Sequence, residues 1–493
     1  MKKYILISCC VVAALIFFQG FVGHPKNDSR VLPTNSTLIY CNSSSPLTYD
    51  PAARQFISKP GAVMVRKSVY ALTPSEINSI KTGITAMEAL PYTNNNSWLY
   101  QAAIHGTTMT DALPQWNMCQ HGTQFFLSWH RMYLYFFERI LRAKSGDPNL
   151  TLPYWDYQSN PVIPPDYRDN TSGNPLYHAR SATMNAGGSL SSGIMTSIDN
   201  SLDQIPFANF QGDLEGPHGS IHTSIGGATG DMSSIYKAAK DPVFWLHHAN
   251  IDRLWEVWRK KCNGRVNPDS GPFMTQVFTF FDENGNAVNM TGAQVVNTAA
   301  SLNYRYDNPS NVLCLIKFRP PIIYKKYPIL HLGDPGPIEI NQGMIKKSFR
   351  NINVNELKAF MRDNKKTTFN FNSQKPDRLF IELENINVKE IPDGAIEVYL
   401  NLGANEVATP KSKSFVGVID LFSASHKMQG MDMRKTLRIN ADKAARALGL
   451  TVGDLANADV SFVVRGNSLQ GREVKTSASV SFDKMHLSVD LAQ

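Results

Sequence analysis

Up to about residue 306, apolar side chains recur every three or four positions, the spacing of helices that bury one face. The stretch from Thr73 to Leu90, TPSEINSIKTGITAMEAL, has this spacing and opens on a helix-start signal. Thr73 is a good N-cap, and Glu76 three residues later completes a capping box. Between residues 98 and 260, helical stretches alternate with long polar loops. Ser128 to Lys144 is the strongest helix, with aromatic and aliphatic residues on most faces, which places it in the interior. Leu246 to Lys261 is a second of the same kind. Residues 24–60, rich in Asn, Ser, Thr and Pro, predict irregular structure.

Beyond residue 307 the pattern changes. Pro309, Pro320, Pro321, Pro328, Pro335 and Pro337 fall among lysines and glycines and read as a linker. Short alternating runs follow: Thr368 to Phe371, Arg378 to Leu383, Ile396 to Leu400, Phe415 to Phe422, Val460 to Val464 and Ala478 to Phe482. Period-two alternation between turn residues predicts a small all-β, sandwich-like domain. The expected division is a mainly α domain over 24–318, a linker over 319–350 and a β-rich domain over 351–493. No tandem repeat of roughly 20–50 residues is present.

Composition narrows the class. A chain of 493 residues exceeds one ordinary domain. With 42% apolar and 18% charged residues it builds a substantial core rather than a disordered chain. The net charge of +8 is scattered in pairs such as Lys260-Lys261 and Lys346-Lys347. Without a dense basic stripe interleaved with aromatics, no nucleic-acid partner is expected. Met1-Lys2-Lys3 and the apolar run from Tyr4 to Val22 read as an export signal over residues 1–23. The run approaches the roughly 20 residues that span a bilayer, so an uncleaved anchor is the alternative. Cleavage leaves an exported protein with no stable membrane association. Cys9 and Cys10 fall in that segment. The other four cysteines, Cys41, Cys119, Cys262 and Cys314, are too far apart for a small disulfide scaffold or a Cys-rich zinc module.

The histidines carry the chemistry. Eight of the 12 lie between residues 105 and 248. His105, His121 and His130 form one group; His218, His222, His247 and His248 form another; His178 stands alone in a loop. Neutral imidazole suits copper, zinc and iron, and no carboxylate-rich pattern for a hard metal competes. His218 and His222, at i and i+4, share one face of a helix within reach of one metal, and Pro217 fits the first turn of such a helix. His248 and Asp252 are again i and i+4, so the carboxylate is expected to brace the ligand face. His247 and His248 lie about 100° apart on a helix, so only one is expected to point at that metal. His130 opens the Ser128 helix. His121 precedes it on a loop, and His105 follows the helical Ser97–Ile104. A three-histidine zinc hydrolase is the rival reading; two such sets without a clear carboxylate base favour redox chemistry on a metal pair.

At these residues the chain resembles type 3 dicopper proteins: tyrosinases, catechol oxidases, polyphenol oxidases and molluscan hemocyanins. Asp241-Pro242-x-Phe244-Trp245-Leu246-His247-His248-x-x-x-Asp252 is similar to their second copper signature. Trp129-His130-Arg131-x-Tyr133-Leu134 with His121 is similar to the first. The resemblance covers roughly residues 60 to 310. It implies a four-helix bundle holding two copper ions, with His105, His121 and His130 on one and His218, His222 and His248 on the other. His247 is left as a neighbour and Asp252 as a brace. It further implies a thioether between Cys119 and His121, and Glu215 as the residue that holds and polarises an active-site water. Ile235, Gly219 and Thr223 are placed at the substrate entrance. Gly219 stands where many monophenol-active members carry Asn, which favours diphenols. Tyr304-Arg305-Tyr306 resembles the element that closes the core, packing with Arg66. The tail resembles the shielding domain of plant-type and some bacterial polyphenol oxidases, best at Phe415 to Leu421, and His426 and His486 in it are expected at the surface. The implied activity is oxidation of o-diphenols, with monophenols as further substrates, to o-quinones by O2, latent until the tail is displaced. The alternatives are an o-aminophenol oxidase and a hemocyanin-like oxygen carrier.

Overall fold

Helix α1 (Pro74–Glu88) begins where its capping box places it. Glu76 N–H donates to Thr73 Oγ1 at 3.3 Å and Thr73 N–H donates to the Glu76 carboxylate at 2.9 Å. Two first-turn donors that lack helical partners are thereby satisfied. The computed structural model describes residues 50–58, 61–111, 113–308, 336–349, 352–370, 377–424 and 436–491. The expected signal at 1–23, Cys41, Cys314, His426 and the linker prolines from Pro309 to Pro335 lie outside them.

Among the described residues, five more helices of eight residues or longer build the first part: α2 (Trp98–His105), α3 (Phe126–Ser145), α4 (Ser192–Asp203), α5 (Phe207–Gly226) and α6 (Pro242–Lys260). The two apolar helices read from the sequence are α3 and α6. They pack on each other, and α1 lies against α3. Trp129, Tyr133, Phe137 and Trp245 are buried between them, with Phe137 stacked on Trp245. Asp241 caps α6 by accepting from Val243 N–H at 2.8 Å, with Pro242 at the first helical position. The same carboxylate meets Arg180 at 2.7 Å, both fully buried. The start of α6 is therefore pinned from two sides.

Helix α5 departs from expectation. Pro217 is not in its first turn, because the helix begins at Phe207 and runs through the proline. One interior backbone donor is therefore missing, almost one turn before the Ser220–Thr223 stretch. Local composition hid the longer helix: Gly212, Gly216 and Pro217 read as a start, whereas packing against α4 continues the helix through them.

Strand β1 (Met64–Arg66) pairs in parallel with β2 (Tyr304–Tyr306), and so sets Arg66 beside Tyr306. The Tyr-x-Tyr element and Arg66 meet as the sequence implied. Arg66 lies 3.7 Å from the Tyr304 ring centroid and donates to Tyr306 Oη at 3.1 Å.

The second part is sheet-rich. Its strands are β3 (Ile338–Ile340), β4 (Met344–Ser348), β5 (Arg378–Glu384), β6 (Asn387–Glu390), β7 (Gly394–Leu400) and β8 (Phe415–Val418). They are followed by β9 (Thr436–Asn440), β10 (Asp459–Gly466), β11 (Ser479–Phe482) and β12 (Lys484–Asp490). Three antiparallel sheets have the orders β8-β7-β10-β4, β9-β5-β12 and β3-β11-β6. Strands β3 and β4 already belong to these sheets, inside the span expected as linker. Three helices interrupt the β pattern: α7 (Val354–Asp363), α8 (Leu421–Ala424) and α9 (Asp442–Leu448). The run from Phe415 is a strand only to Val418 and turns helical at Leu421. No strand forms at Thr368–Asn370. His486 is buried on β12 against Glu384 rather than at the surface, because both faces of β12 are covered and every residue from Met485 to Asp490 is buried.

The tail lies on the helical part through α5. Ser220 Oγ donates to the Ile419 carbonyl at 3.0 Å, Ser224 Oγ to Gly394 O at 2.8 Å, and Arg378 to Asn209 Oδ1 at 2.8 Å. No helix among the described residues is long and apolar enough to cross a membrane.

Candidate metal centre

Each histidine is delivered by a local feature of the chain. Ser97 caps α2 by accepting from Tyr100 N–H at 3.1 Å, and His105 is the last residue of that helix. Gly106 follows. A Cβ there would lie 2.4 Å from the Ile235 carbonyl oxygen, and that oxygen accepts from His105 Nδ1 at 3.0 Å. Only glycine lets the two strands of chain approach closely enough for this bond. His121 sits on the loop before α3, as its nine-residue offset from His130 required. His130 lies in the first turns of α3, with Nδ1 against Phe126 O at 2.7 Å. His218 and His222 project from α5, and His222 Nδ1 bonds Met232 O at 3.1 Å. His247 and His248 come from α6. A backbone carbonyl on Nδ1 fixes the ring and leaves Nε2 as the ligating nitrogen.

Two compact groups result. His105, His121 and His130 hold ligand atoms within 4.8 Å of one another, and so do His218, His222, His247 and His248; all seven are buried. The groups face each other: His130 stacks on His248 with centroids 4.5 Å apart, and His121 lies 5.3 Å from His218. Phe126 and Phe244 wall the space, at 4.9 Å from His218 and 4.2 Å from His248.

The electrostatics fit a cation. Burial pushes the His130 and His247 imidazoles down to about 3. Burial, then the neighbouring rings, hold His218, His222 and His248 well below the ordinary range. The rings are therefore neutral, the form that ligates metals. Among the described residues, His130 Nε2, both nitrogens of His218 and His247, and His248 Nδ1 have no hydrogen-bond partner. His222 Nε2 and His248 Nε2 face each other at 3.2 Å. Unmatched buried nitrogens each cost about 1–3 kcal/mol. That many in one place marks a site completed by something that accepts lone pairs.

The other expected residues fall around this centre in different ways. Glu215 is buried, and its carboxylate accepts from Gly122 N–H at 2.6 Å. Burial pushes its carboxyl well above the usual range, the Gly122 bond opposes this, and Asp420 adds to it. Ile235 contributes its carbonyl to His105, and its side chain is buried. Thr223 Oγ1 is turned back onto the α5 backbone at Gly219 O, 3.3 Å away. His178 pairs with Asp231 at 3.0 Å, outside the cluster.

Two expectations are corrected. Asp252 does not reach the His248 ring. Its carboxylate accepts from Tyr304 and Tyr306 Oη at 2.6 Å each and pairs with Arg131 and with Arg66, the latter at 3.3 Å. It braces α6 against α3 and β2 rather than the ligand itself. Cys119, fully buried beside His121, is engaged in a disulfide bond, as is Cys262. A sulfur so engaged has no valence left for a thioether, so the Cys119–His121 cross-link is not part of this structure.

The sequence also left two residues unread. Phe422, in the helical turn α8 of the tail, lies flat on His222 with centroids 4.0 Å apart and planes 8° apart. It is fully buried, 5.7 Å from His121 and 6.0 Å from His218. Asp420, two residues earlier, lies against α5 at Gly219. The only signal was an aromatic at the end of an alternating run, FVGVIDLF, which by itself reads as strand core.

Comparison with known proteins agrees with this geometry. Residues 95–199 and 188–261 match the common central domain of tyrosinase. Residues 268–315 match the polyphenol oxidase middle domain, and 339–432 match a domain of unknown function. A tyrosinase of Hahella sp. is 33% identical over 303 residues, covering 49% of this chain and 62% of that protein. Units G and H of Sepia officinalis hemocyanin are 29% identical over 250 residues, covering 47% of this chain and 43% of that protein. The chain thus matches less than two thirds of the length of these relatives. The solved structure of latent apple tyrosinase shares the fold, with a TM-score of 0.61 over 89% of this chain and all of that one, at 19% identity. The region that carries both histidine clusters is thus similar to the central domain of tyrosinase, a type 3 dicopper family, and the chain shares the fold of a latent tyrosinase.

Proposed function

We propose that the protein oxidises o-diphenols to o-quinones with O2, and that it is latent while its tail is docked. The observation that carries the reading is Phe422 stacked on His222, over two facing histidine groups in which His130 Nε2, both nitrogens of His218 and His247, and His248 Nδ1 have no hydrogen-bond partner among the described residues. His105, His121 and His130 would hold one copper, and His218, His222 and His248 the other, on the frame of α2, α3, α5 and α6. His247 shares the second group without being needed to complete three ligands. The copper pair would supply O2 binding and two-electron redox chemistry. Overall, two catechols and one O2 give two o-quinones and two waters.

The chain's own residues do the rest. The carbonyls of Ile235, Phe126 and Met232 fix three imidazoles in one tautomer. Phe126 and Phe244 keep the walls apolar and exclude water. Phe422 occupies the space above His222 where an aromatic substrate would lie. In this reading Ile235, Gly219 and Thr223 form the substrate entrance; once the tail and its Asp420 are away, Gly219 offers no side chain to position a monophenol, which favours diphenols. Once the tail leaves, the Glu215 carboxyl regains solvent and can take a phenolic proton through a water.

Oxygen uptake with catechol, before and after limited proteolysis within residues 309–335, tests the reading. We expect activity to rise on cleavage. Phe422→Ala is expected to raise the activity of the intact protein about tenfold or more, since burying a Phe contributes about 1.5–3 kcal/mol. Reversible O2 binding without catechol turnover, even after cleavage, would overturn the oxidase reading in favour of an oxygen carrier. For the ligand assignment, His248→Ala should bind one copper by elemental analysis and His247→Ala two; the reverse outcome exchanges their roles.

A further inference from the structure

We infer that Gly219 is the docking notch of the tail, and that Asp420 is the key that fills it. This rests on the latent reading above and names the contact that sets it. Gly219 lies in the interior of α5, where glycine is a poorer helix former than alanine, so its presence calls for a cause. Space supplies one. A Cβ at position 219 would lie 1.9 Å from Asp420 Oδ1 and 2.5 Å from its Cγ. No non-hydrogen atoms approach so closely without a covalent bond, so any larger residue displaces the carboxyl.

That carboxyl is not free to swing aside. Asp420 Oδ1 accepts from Ser423 N–H at 3.0 Å and so caps the turn α8, which carries Phe422. Its backbone neighbour is held too, since the Ile419 carbonyl accepts from Ser220 Oγ at 3.0 Å. Gly216, one turn before, lies beneath the Val418 carbonyl, 3.5 Å from where its own Cβ would be. The segment Val418–Phe422 thus follows α5 over one turn, with Asp420 in the notch and Phe422 on the His222 ring two residues further on. Pushing Asp420 out lifts the cap, and with it the ring that covers the site. Residue 219 is therefore constrained by the tail before it is constrained by any substrate.

The test is a mutant cycle read as the ratio of catechol oxidation in intact protein to that in the same protein cleaved within residues 309–335. The ratio cancels any effect of residue 219 on turnover itself. Overpacking of this kind should raise the ratio about tenfold for Gly219→Ala and more for Gly219→Asn. Asp420→Gly removes the key and should raise it as well. The decisive variant is Gly219→Ala combined with Asp420→Gly. If the two side chains compete for one space, the pair should give a ratio no higher than Asp420→Gly alone. A second readout without activity is the rate of protease cleavage within residues 309–335, which should rise for Gly219→Ala. An unchanged ratio and cleavage rate in Gly219→Ala, or strictly multiplicative effects in the double variant, would overturn the inference. Failure of wild-type protein to oxidise catechol after cleavage would instead overturn the functional reading beneath it.

Discussion

Two polar clusters are buried side by side on the same pair of helices, and they are built on opposite terms. In α3, His130 and Arg131 are consecutive; in α6, His248 and Asp252 are one turn apart. Yet Arg131 and Asp252 point into one cluster and the histidines into the other. In the first, opposite charges meet. Arg66 bonds Glu138 at 2.7 Å, Arg131 bonds Glu256 at 3.1 Å, and Asp252 takes two tyrosine hydroxyls and two guanidiniums. Arg66 Nη2 lacks an acceptor among the described residues, but that guanidinium lies over Tyr304. In the second, nitrogens face nitrogens. Burial is the same for both; what differs is whether the cluster is closed by the chain itself. One is a brace and the other is a receptacle.

The contrast breaks first at Asp252. Asp252→Ala leaves Arg131 and Arg66 buried with less counter-charge and should cost about 3–5 kcal/mol in denaturant unfolding. Added copper should not restore it. A loss under about 1 kcal/mol, or rescue by copper, would show that the two clusters are not distinct in kind. The receptacle responds to its guest. With free copper at 100 times the dissociation constant, each site should add about 2.7 kcal/mol, seen as a rise in Tm that a chelator reverses. No shift in Tm would mean that the unmatched nitrogens are not a metal site.

Acid separates the clusters by window. In the metal-free protein the buried histidines are held below their ordinary value of 6.5. The unfolded chain takes up protons there before the native one, so stability falls as pH drops below 6.5, by about 1.4 kcal/mol per unit per group. For Asp252 and Glu138, burial pushes upward, but Arg131 and Arg66 hold Asp252 below 3.8, and Arg66 and Arg142 hold Glu138 below 4.5. Their contribution is complete above those values and is lost only as pH falls through the lower native ones. Unfolding free energy measured from pH 7 to 4 should therefore decline early from the histidines, and a His130→Phe variant should decline less. A flat profile down to pH 4.5 would contradict the neutral, buried state of these rings.

What could be read in advance followed from local chemistry. Thr73 and Glu76 announce a helix start because both partners of the cap lie within four residues. His218 and His222 were legible as a pair because i and i+4 spacing survives folding. Asp252 was misassigned because spacing along a helix says which residues share a face, not which neighbour arrives there first; Tyr304 and Tyr306 come from some 50 residues away. Pro217 was misplaced because a local start signal competes poorly with packing along 20 residues of α5. Phe422 and Asp420 were silent because their partners are about 200 residues distant, and a pattern of alternation carries no information about what lies across an interface.

That Phe422 and His222 belong to one chain has a kinetic meaning. A tethered cover meets its site at an effective concentration set by the connecting segment and not by how much protein is present. Intact molecules at nanomolar and micromolar concentration should therefore be closed to the same extent. Once the connection is cut, the same contacts become an encounter between two molecules, and closure obeys dilution. Activity released by cleavage should therefore grow further as the cleaved protein is diluted, and the concentration at half-activity reads the strength of the tail's grip directly.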